Sequence, residues 1–308
     1  MTRSPARLKT LAADPDTIGV VVDPGRGGDL QSGTKRSRIQ TVRTDRGAVA
    51  MSLAFSDDGP GPLVVLLHGF PLSREMWAPQ LTTIGARYRV IAPDFPGFGK
   101  TPPGDDVSTM DGLAARVLDL LDDLGIRERV VIGGLSMGGY VAQAIALSAP
   151  ERVRGLMLIC TRAIGDTADQ AQDRKALADR IEAAGSGQEA LDAVLPKLFG
   201  PATTERRPEL IAQMAKLAGS ASPRGIAAAL RGMAARPDRT ASLASIAVPT
   251  LVLAGADDQL IPVEEARAMA EALPDAQLVV VPGVGHMAPL EDPKASNAAI
   301  EAFLDGQE

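Results

Sequence analysis

Six short runs of apolar, often β-branched residues recur along the chain, and glycine or proline bounds each of them. The runs are LVVLL (63–67), YRVIAP (88–93), RVVIGG (129–134), GLMLIC (155–160), PTLVLAG (249–255) and AQLVVVPG (276–283). Their apolar residues follow one another without alternating with polar ones, which is typical of strands covered on both faces. We therefore predict a largely parallel β-sheet buried on both sides.

Helical patterns lie between these runs. Ser108-Thr109-Met110-Asp111 resembles a capping box that opens a helix through Leu124, and Gly125 then ends it. Two further helical patterns, YVAQAIALSAP and VEEARAMAEALP, end at Pro150 and Pro274. Strands that alternate with helices predict an α/β fold with a doubly wound, mostly parallel sheet.

One long segment breaks this alternation. Residues 162–247 contain no convincing strand, and four stretches rich in alanine, leucine and charged residues read as helices. We predict a helical cap over 162–247, inserted before the last two strands of a core formed by 39–161 and 248–308. The alternative is that these helices only cover an edge of the sheet.

Residues 1–38 mix arginine, lysine, aspartate, proline and glycine, with one short apolar run, IGVVV. Such a segment buries little apolar surface, so we expect a loosely ordered N-terminal extension that contributes at most one strand.

Composition excludes several classes of function. The 308 residues carry a formal net charge of −6, which disfavours a nucleic-acid or anionic membrane surface as partner. No run of about 18 apolar residues suggests a membrane span, and no signal-peptide pattern follows the basic N-terminus. One cysteine and two histidines are too few for an ordinary His/Cys metal site or a disulfide, so Cys160 is expected to be a core residue. We expect a cytoplasmic protein with a small-molecule partner and no metal; the oligomeric state is not predicted.

Ser136 lies between two glycines in Gly134-Leu135-Ser136-Met137-Gly138, after a predicted strand and before a predicted helix. A sharp strand-to-helix turn strains its central residue, and glycines on either side relieve crowding there. The helix amino end also favours negative charge that develops near the serine. Ser136 is therefore a candidate nucleophile, although the pentapeptide alone also suits an ordinary tight turn.

A serine hydroxyl needs a base within hydrogen-bond reach. His286 follows the last predicted strand in a glycine-rich loop, where a base can reach over the ends of parallel strands. Asp257 and Asp258 directly follow another strand and offer the carboxylate that would orient the imidazole. The order serine, aspartate, histidine is that expected for a serine on such a turn.

His68-Gly69-Phe70 follows the first of the apolar runs and leads into a loop. Acyl transfer needs two backbone N–H donors for the oxyanion, and we predict those of Phe70 and Met137. His68 is then a structural residue that keeps Phe70 in place rather than a catalytic base.

Five motifs in this order resemble the α/β-hydrolase superfamily: HGF (68–70), DFPGFGKT (94–101), GLSMGG (134–139), GADD (255–258) and GVGHM (283–287). The resemblance covers about residues 39–305. It implies the α/β-hydrolase fold, a triad of Ser136, aspartate and His286, and no cofactor. In relatives the aspartate lies three residues beyond the glycine of GADD, which favours Asp258 over Asp257.

Within the superfamily, LHGFPLSREMWAPQL and GLSMGGYVAQ are similar to 3-oxoadipate enol-lactonases and small carboxylic ester hydrolases. The resemblance implies a serine hydrolase that acts on a carboxylic ester or lactone. Cofactor-free perhydrolases have similar turns, so perhydrolysis, C–C bond hydrolysis and acyl transfer on the same triad are alternatives. A non-catalytic small-molecule receptor is a further one.

Substrate-pocket candidates come from the loops and the helical segment. Trp77 and Phe70 either line an acyl pocket or pack the oxyanion loop against the core. Phe199, Met214 and Met233 either cover the pocket or belong to the core of the cap. Arg162, at the start of the cap, either meets a substrate carboxylate or is solvated.

Overall fold

The computed structural model describes residues 37–38 and 53–307 of the chain. Residues 1–36 of the predicted extension lie outside this part. Ser37 and Arg38, the last two residues of that extension, pair antiparallel with Phe55 and Ser56. The sheet therefore begins slightly before the boundary that the sequence suggested.

Eight strands form one sheet in the described residues, in the order β1-β2-β4-β3-β5-β6-β7-β8. The six strands β3 to β8 run parallel to one another. At one edge of the sheet, β2 pairs antiparallel with β4, and β1 pairs antiparallel with β2. All six predicted runs are strands, which confirms the predicted α/β class with a mostly parallel sheet. The bounds are β1 Ser37–Arg38, β2 Phe55–Asp58, β3 Leu63–Leu67, β4 Arg89–Pro93, β5 Val130–Leu135, β6 Val153–Ile159, β7 Thr250–Gly255 and β8 Ala276–Val281.

The middle of the sheet is covered on both faces. Every residue of β3, β5 and β7 is buried, although successive side chains of a strand point to opposite faces. At the edge strand β8 only Leu278 and Val281 are buried. Unbroken apolar runs in the sequence thus mark the strands that have helices or loops on both sides.

Six helices in the described residues accompany the sheet: α1 Ala78–Thr83, α2 Met110–Asp123, α3 Met137–Ser148, α9 Val263–Ala272, α10 Ala288–Glu291 and α11 Pro293–Asp305. The predicted start of α2 was wrong by one residue, because Thr109, not Ser108, is the N-cap and accepts a hydrogen bond from the Gly112 N–H. Helix α3 packs against β3, β5 and β6, so its first turn lies at the carboxyl ends of the central strands.

The segment between β6 and β7 contains five helices: α4 Ala168–Ala184, α5 Gln188–Val194, α6 Pro201–Arg206, α7 Pro208–Ala218 and α8 Pro223–Ala234. The sequence predicts four, because α6 and α7 read as one helix; in the structure α6 ends before Pro208, and Pro208 is the first residue of α7. Thr167 and Gln170 form a capping box at α4, which packs along α8. We call residues 162–247 the cap, and its exact boundaries stay a prediction.

Cys160 is buried directly after β6, as expected for a core residue. Burial raises the pKa of its thiol, so the side chain stays protonated and unreactive at neutral pH. Within residues 53–307, no helix has the length and apolar character needed to span a bilayer.

Candidate active site

Ser136 occupies the turn between β5 and α3 with a strained backbone, at φ 54° and ψ −113°. Side chains rarely adopt a positive φ because Cβ crowds the neighbouring carbonyl. Hydrogen bonds hold the turn in place: the Ser136 N–H donates to the Ile159 carbonyl at 2.9 Å, and the Ser136 carbonyl accepts from the Gly139 N–H and the Thr161 hydroxyl, both at 2.8 Å. The strain is therefore imposed by the sheet and by the first turn of α3.

The two glycines around Ser136 are required by space. A Cβ atom at Gly138 would overlap the Leu67 carbonyl of β3, and one at Gly134 would overlap the Gly138 carbonyl. Any larger residue at either position would push α3 away from the strands that carry it.

His286 and Asp258 form a buried pair. Nδ1 of His286 lies 2.7 Å from Oδ2 of Asp258, and the other Asp258 oxygen accepts from the Leu260 and Ile261 N–H groups at 2.8 and 3.0 Å. The carboxylate thus places the imidazole proton on Nδ1 and leaves Nε2 as a base. Asp257 is exposed, so of the two candidate carboxylates it is Asp258 that contacts His286.

The loop after β3 passes directly beside Ser136. A Cβ atom at Gly69 would lie 3.6 Å from Cβ of Ser136, so the chain approaches the serine closely there. Neither the Phe70 N–H nor the Met137 N–H has a hydrogen-bond acceptor among the described residues. Both N–H groups therefore have unused hydrogen-bonding capacity, and their role as an oxyanion site stays a prediction.

His68 supports this loop from below. Its Nδ1 lies 3.0 Å from the Gly69 carbonyl, and its Nε2 accepts the Phe95 N–H at 3.0 Å. These two bonds require the neutral ring with its proton on Nδ1. Burial lowers the pKa of His68 below its ordinary value, which keeps the ring neutral. His68 is fully enclosed, consistent with the structural role predicted for it.

Ser136 and His286 line the same cavity of about 470 Å³ between the core and the cap. The core contributes Phe70, Tyr140, Leu260 and Ile261 to its wall. The cap side includes Arg174 and Leu177 of α4, Ala193 and Val194 of α5, and Leu230 and Met233 of α8. The candidate catalytic residues Ser136 and His286 thus lie on the core side of the cavity, and the cap forms the opposite side.

Three of the predicted pocket residues line this cavity: Phe70, Arg162 and Met233. Arg162 is held in place, because it pairs with Glu265 at 3.2 Å and donates to the Leu260 carbonyl. It is therefore not the solvated arginine that the sequence offered as one alternative, and its contact with a substrate carboxylate stays a prediction.

The other three predicted pocket residues do not reach this cavity. Trp77 and Phe199 are enclosed in the apolar core, which takes up large aromatic side chains because they bury much apolar surface. Met214 lies on α7 and lines a different cavity together with Ser73 and Leu217.

Glu291 was missed in the sequence. One carboxylate oxygen accepts from the Gly285 and Met287 N–H groups, which flank His286, at 2.9 and 3.1 Å, and the other accepts from Gly200 of the cap at 2.8 Å. This buried side chain therefore holds the His286 loop against the cap. Nothing local in PLEDP distinguishes Glu291 from an exposed helix residue, because its partners lie in two separate segments.

A group of charged residues in the cavity wall was also missed. Asp166 and Arg174 line the cavity, and Arg236 lies behind them over the ring of Tyr140. The helical spacing of Gln170, Asp173, Arg174 and Leu177 was the signal available, since these positions share one face of α4.

A profile of protein families described as the alpha/beta hydrolase fold matches residues 62–293, about three quarters of the chain. The chain belongs to the α/β-hydrolase family. A structure of a thermophilic esterase from Thermogutta terrifontis, with malate bound, is 42% identical with a TM-score of 0.81, and the match covers 83% of this hydrolase and 93% of that chain.

Two curated relatives are named for different substrates. A 2-hydroxy-6-oxononadienedioate/2-hydroxy-6-oxononatrienedioate hydrolase from Cupriavidus pinatubonensis is 30% identical over 90% of this chain and 98% of its own. The 3-oxoadipate enol-lactonase 2 of Acinetobacter baylyi is 28% identical over 83% of this chain and 93% of its own. This hydrolase is thus similar to enzymes that differ in substrate.

Because the turn at Ser136 is strained, we expect glycine to be more stabilising than alanine at this position. Replacing Ser136 by glycine should give a protein about 1 kcal/mol more stable than Ser136→Ala, because relief of strain outweighs the entropy of glycine in the unfolded chain. Urea unfolding of both variants measures the difference. Ala183→Gly on the exposed face of α4 is the control and should destabilise. Equal stability of the two Ser136 variants would argue against strain at this turn.

The neutral His68 predicts loss of stability in mild acid. Its folded pKa lies below the ordinary 6.5, so below about pH 6.5 the unfolded chain binds a proton that the folded one does not. The contribution of neutral His68 to the free energy of unfolding is present above pH 6.5. It is lost as the pH falls, by at most about 1.4 kcal/mol per pH unit. Urea unfolding of the wild type and His68→Gln between pH 7.5 and 5.5 tests it. The variant should show a shallower pH dependence, and an identical slope would contradict the assignment.

Loss of the Glu291 carboxylate should weaken the link between cap and core. Glu291→Gln places an amide donor against backbone N–H groups, and we expect a loss of about 2 to 4 kcal/mol in the free energy of unfolding. Glu301→Gln on α11 is the matched control and should change little. If both variants unfold at the wild-type urea concentration, the three hydrogen bonds contribute nothing to stability.

Proposed function

We propose that this protein is a serine hydrolase that cleaves a carboxylic ester or lactone through an acyl-enzyme on Ser136. One observation carries the proposal: His286, paired with the buried Asp258, lines the same cavity as a serine held on a strained turn. A strained backbone at a functional position is retained where the surrounding structure determines it.

In the proposed mechanism His286 activates the serine. Its Nε2 removes the proton from Oγ of Ser136 while that oxygen forms a bond to the substrate carbonyl carbon. Asp258 accepts the Nδ1 hydrogen bond, keeps that proton in place and stabilises the imidazolium that forms. The two backbone hydrogen bonds on its other oxygen prevent Asp258 from turning away from His286.

The tetrahedral oxyanion would accept hydrogen bonds from the Phe70 and Met137 N–H groups. Each such donor contributes roughly 3 kcal/mol to lowering the barrier. The amino end of α3 adds a partial positive charge at the same place. Collapse of this intermediate breaks the C–O bond, and His286 gives its proton to the leaving alkoxide, which leaves the acyl group on Ser136.

Water then completes the cycle. His286 takes a proton from a water molecule as its oxygen attacks the acyl-enzyme, and the second tetrahedral intermediate expels Ser136, which regains the proton. For a lactone, the alkoxide and the acid belong to one product molecule. The cavity volume of about 470 Å³ falls in the lower half of the usual range for small-molecule sites and suits a compact aliphatic substrate.

The relatives support hydrolysis, and one of them favours a C–C bond as the alternative to an ester bond. The Cupriavidus relative is named for an oxo acid rather than an ester, and hydrolysis beside a ketone breaks a C–C bond. C–C hydrolysis on the same residues is therefore the second candidate. Activity on a 2-hydroxy-6-oxo dienoic acid that exceeds activity on every ester tested would favour it.

The decisive experiment removes the nucleophile. Wild type should hydrolyse short p-nitrophenyl esters or lactones, and Ser136→Ala should lower kcat by about 10⁴-fold or more. Ser148→Ala, at the far end of the same helix, is the matched control and should retain activity. Mass spectrometry of the quenched wild type should find the acyl group on the peptide that contains Ser136.

Equal hydrolysis by wild type and Ser136→Ala would overturn the nucleophile assignment. Slow labelling of Ser136 by a fluorophosphonate with no turnover of any ester, lactone or ketone would instead support a small-molecule receptor.

A further inference from the structure

Arg174 ends a chain of charged side chains in the cavity wall. Its Nε donates to Oδ2 of Asp166 at 2.6 Å, and Oδ1 of Asp166 pairs with Nη1 of Arg236 at 2.8 Å. The side chains of Asp166 and Arg236 are each only 2% exposed. The Arg236 guanidinium also lies 4.5 Å from the ring centroid of Tyr140, four residues after Ser136 in α3. The chain of charges therefore leads from the helix that carries Ser136 to the cap.

This arrangement leaves one positive charge in excess. Asp166 pairs with both Arg174 and Arg236, so the two guanidinium groups share a single carboxylate. Nη1 of Arg174 has only the Met233 sulfur, at 4.0 Å, within reach, and its Nη2 has no acceptor in the described part of the chain. The planar edge of the guanidinium is the part that binds a carboxylate with two hydrogen bonds.

The other charged residues around the cavity either have partners of their own or are exposed. Arg162 is already paired with Glu265, and Lys197 is an exposed second cation at the wall. Asp173 also lines the cavity but is exposed, which weakens its effect on Arg174 through solvent screening. Asp258 is engaged by His286 and two backbone N–H groups.

We infer that Arg174 binds a carboxylate of the substrate that is remote from the carbonyl attacked by Ser136. The substrate class is then a half-ester of a dicarboxylic acid, or a lactone that carries a carboxylate. Leu177, Val194 and Leu230 line the same cavity and would contact the methylene groups between the two ends. The inference rests on the proposed function and specifies the substrate of that same site.

A pair of esters that differ only in charge tests the inference. p-Nitrophenyl hydrogen adipate carries a carboxylate, and p-nitrophenyl adipamate replaces it by a neutral amide of the same shape. Wild type should prefer the anionic ester by about tenfold or more in kcat/KM, the size expected of a hydrogen-bonded ion pair. Added salt should reduce this preference, because it screens a partly exposed pair.

Arg174→Met removes the charge and retains an apolar side chain of similar length. It should remove most of the preference for the anionic ester, measured as the ratio of kcat/KM for the two esters. The amide also reports that the variant is folded and active. Lys175→Met, the next residue of α4 and exposed, is the matched control and should keep the wild-type preference.

The outcomes separate this inference from the proposed function. If wild type hydrolyses both esters equally, or if Arg174→Met changes both alike, Arg174 does not select a carboxylate although the hydrolase assignment stands. If wild type hydrolyses neither ester nor any other ester or lactone, the proposed function itself fails.

Discussion

The carbonyl of Ser136 is the point on which the candidate site depends. Its hydrogen bonds from Gly139 and Thr161 join the end of β5, the start of α3 and the residues after β6. Together they keep a non-glycine residue at a positive φ and direct its hydroxyl to the cavity. The two glycines of the turn then allow α3 to approach the strands closely, so the amino end of that helix lies under the serine.

Core and cap have separate tasks around this turn. The core supplies Ser136, His286, Asp258 and the Phe70 and Met137 N–H groups, which are the groups that the proposed acyl transfer to serine would use. The cap supplies most of the cavity wall, including Arg174, so under the proposed function it would select the substrate. Glu291 accepts hydrogen bonds from both the His286 loop and the cap, so a shift of the cap would also displace the loop that carries His286.

Much of the fold could be predicted because its signals are local. Apolar runs mark the strands, and proline or glycine marks most helix ends, although Pro208 divided a stretch that reads as one helix. The proposed triad was visible for a different reason: with two histidines in the chain, the bases to consider were few. Cavity lining was predicted less well, since Trp77, Phe199 and Met214 have the composition of pocket residues but are placed elsewhere.

The sequence by itself determined the alternation of strands and helices, the glycine-flanked turn at Ser136 and the short set of groups that could activate it. These features follow from the backbone preferences and solvation of neighbouring residues. Only the tertiary structure decided that Asp258 rather than Asp257 meets His286, that Arg162 is already paired with Glu265, and that Arg174 shares the carboxylate of Asp166 with Arg236. Each of these depends on contacts between residues far apart in the chain, whose distances no local pattern encodes.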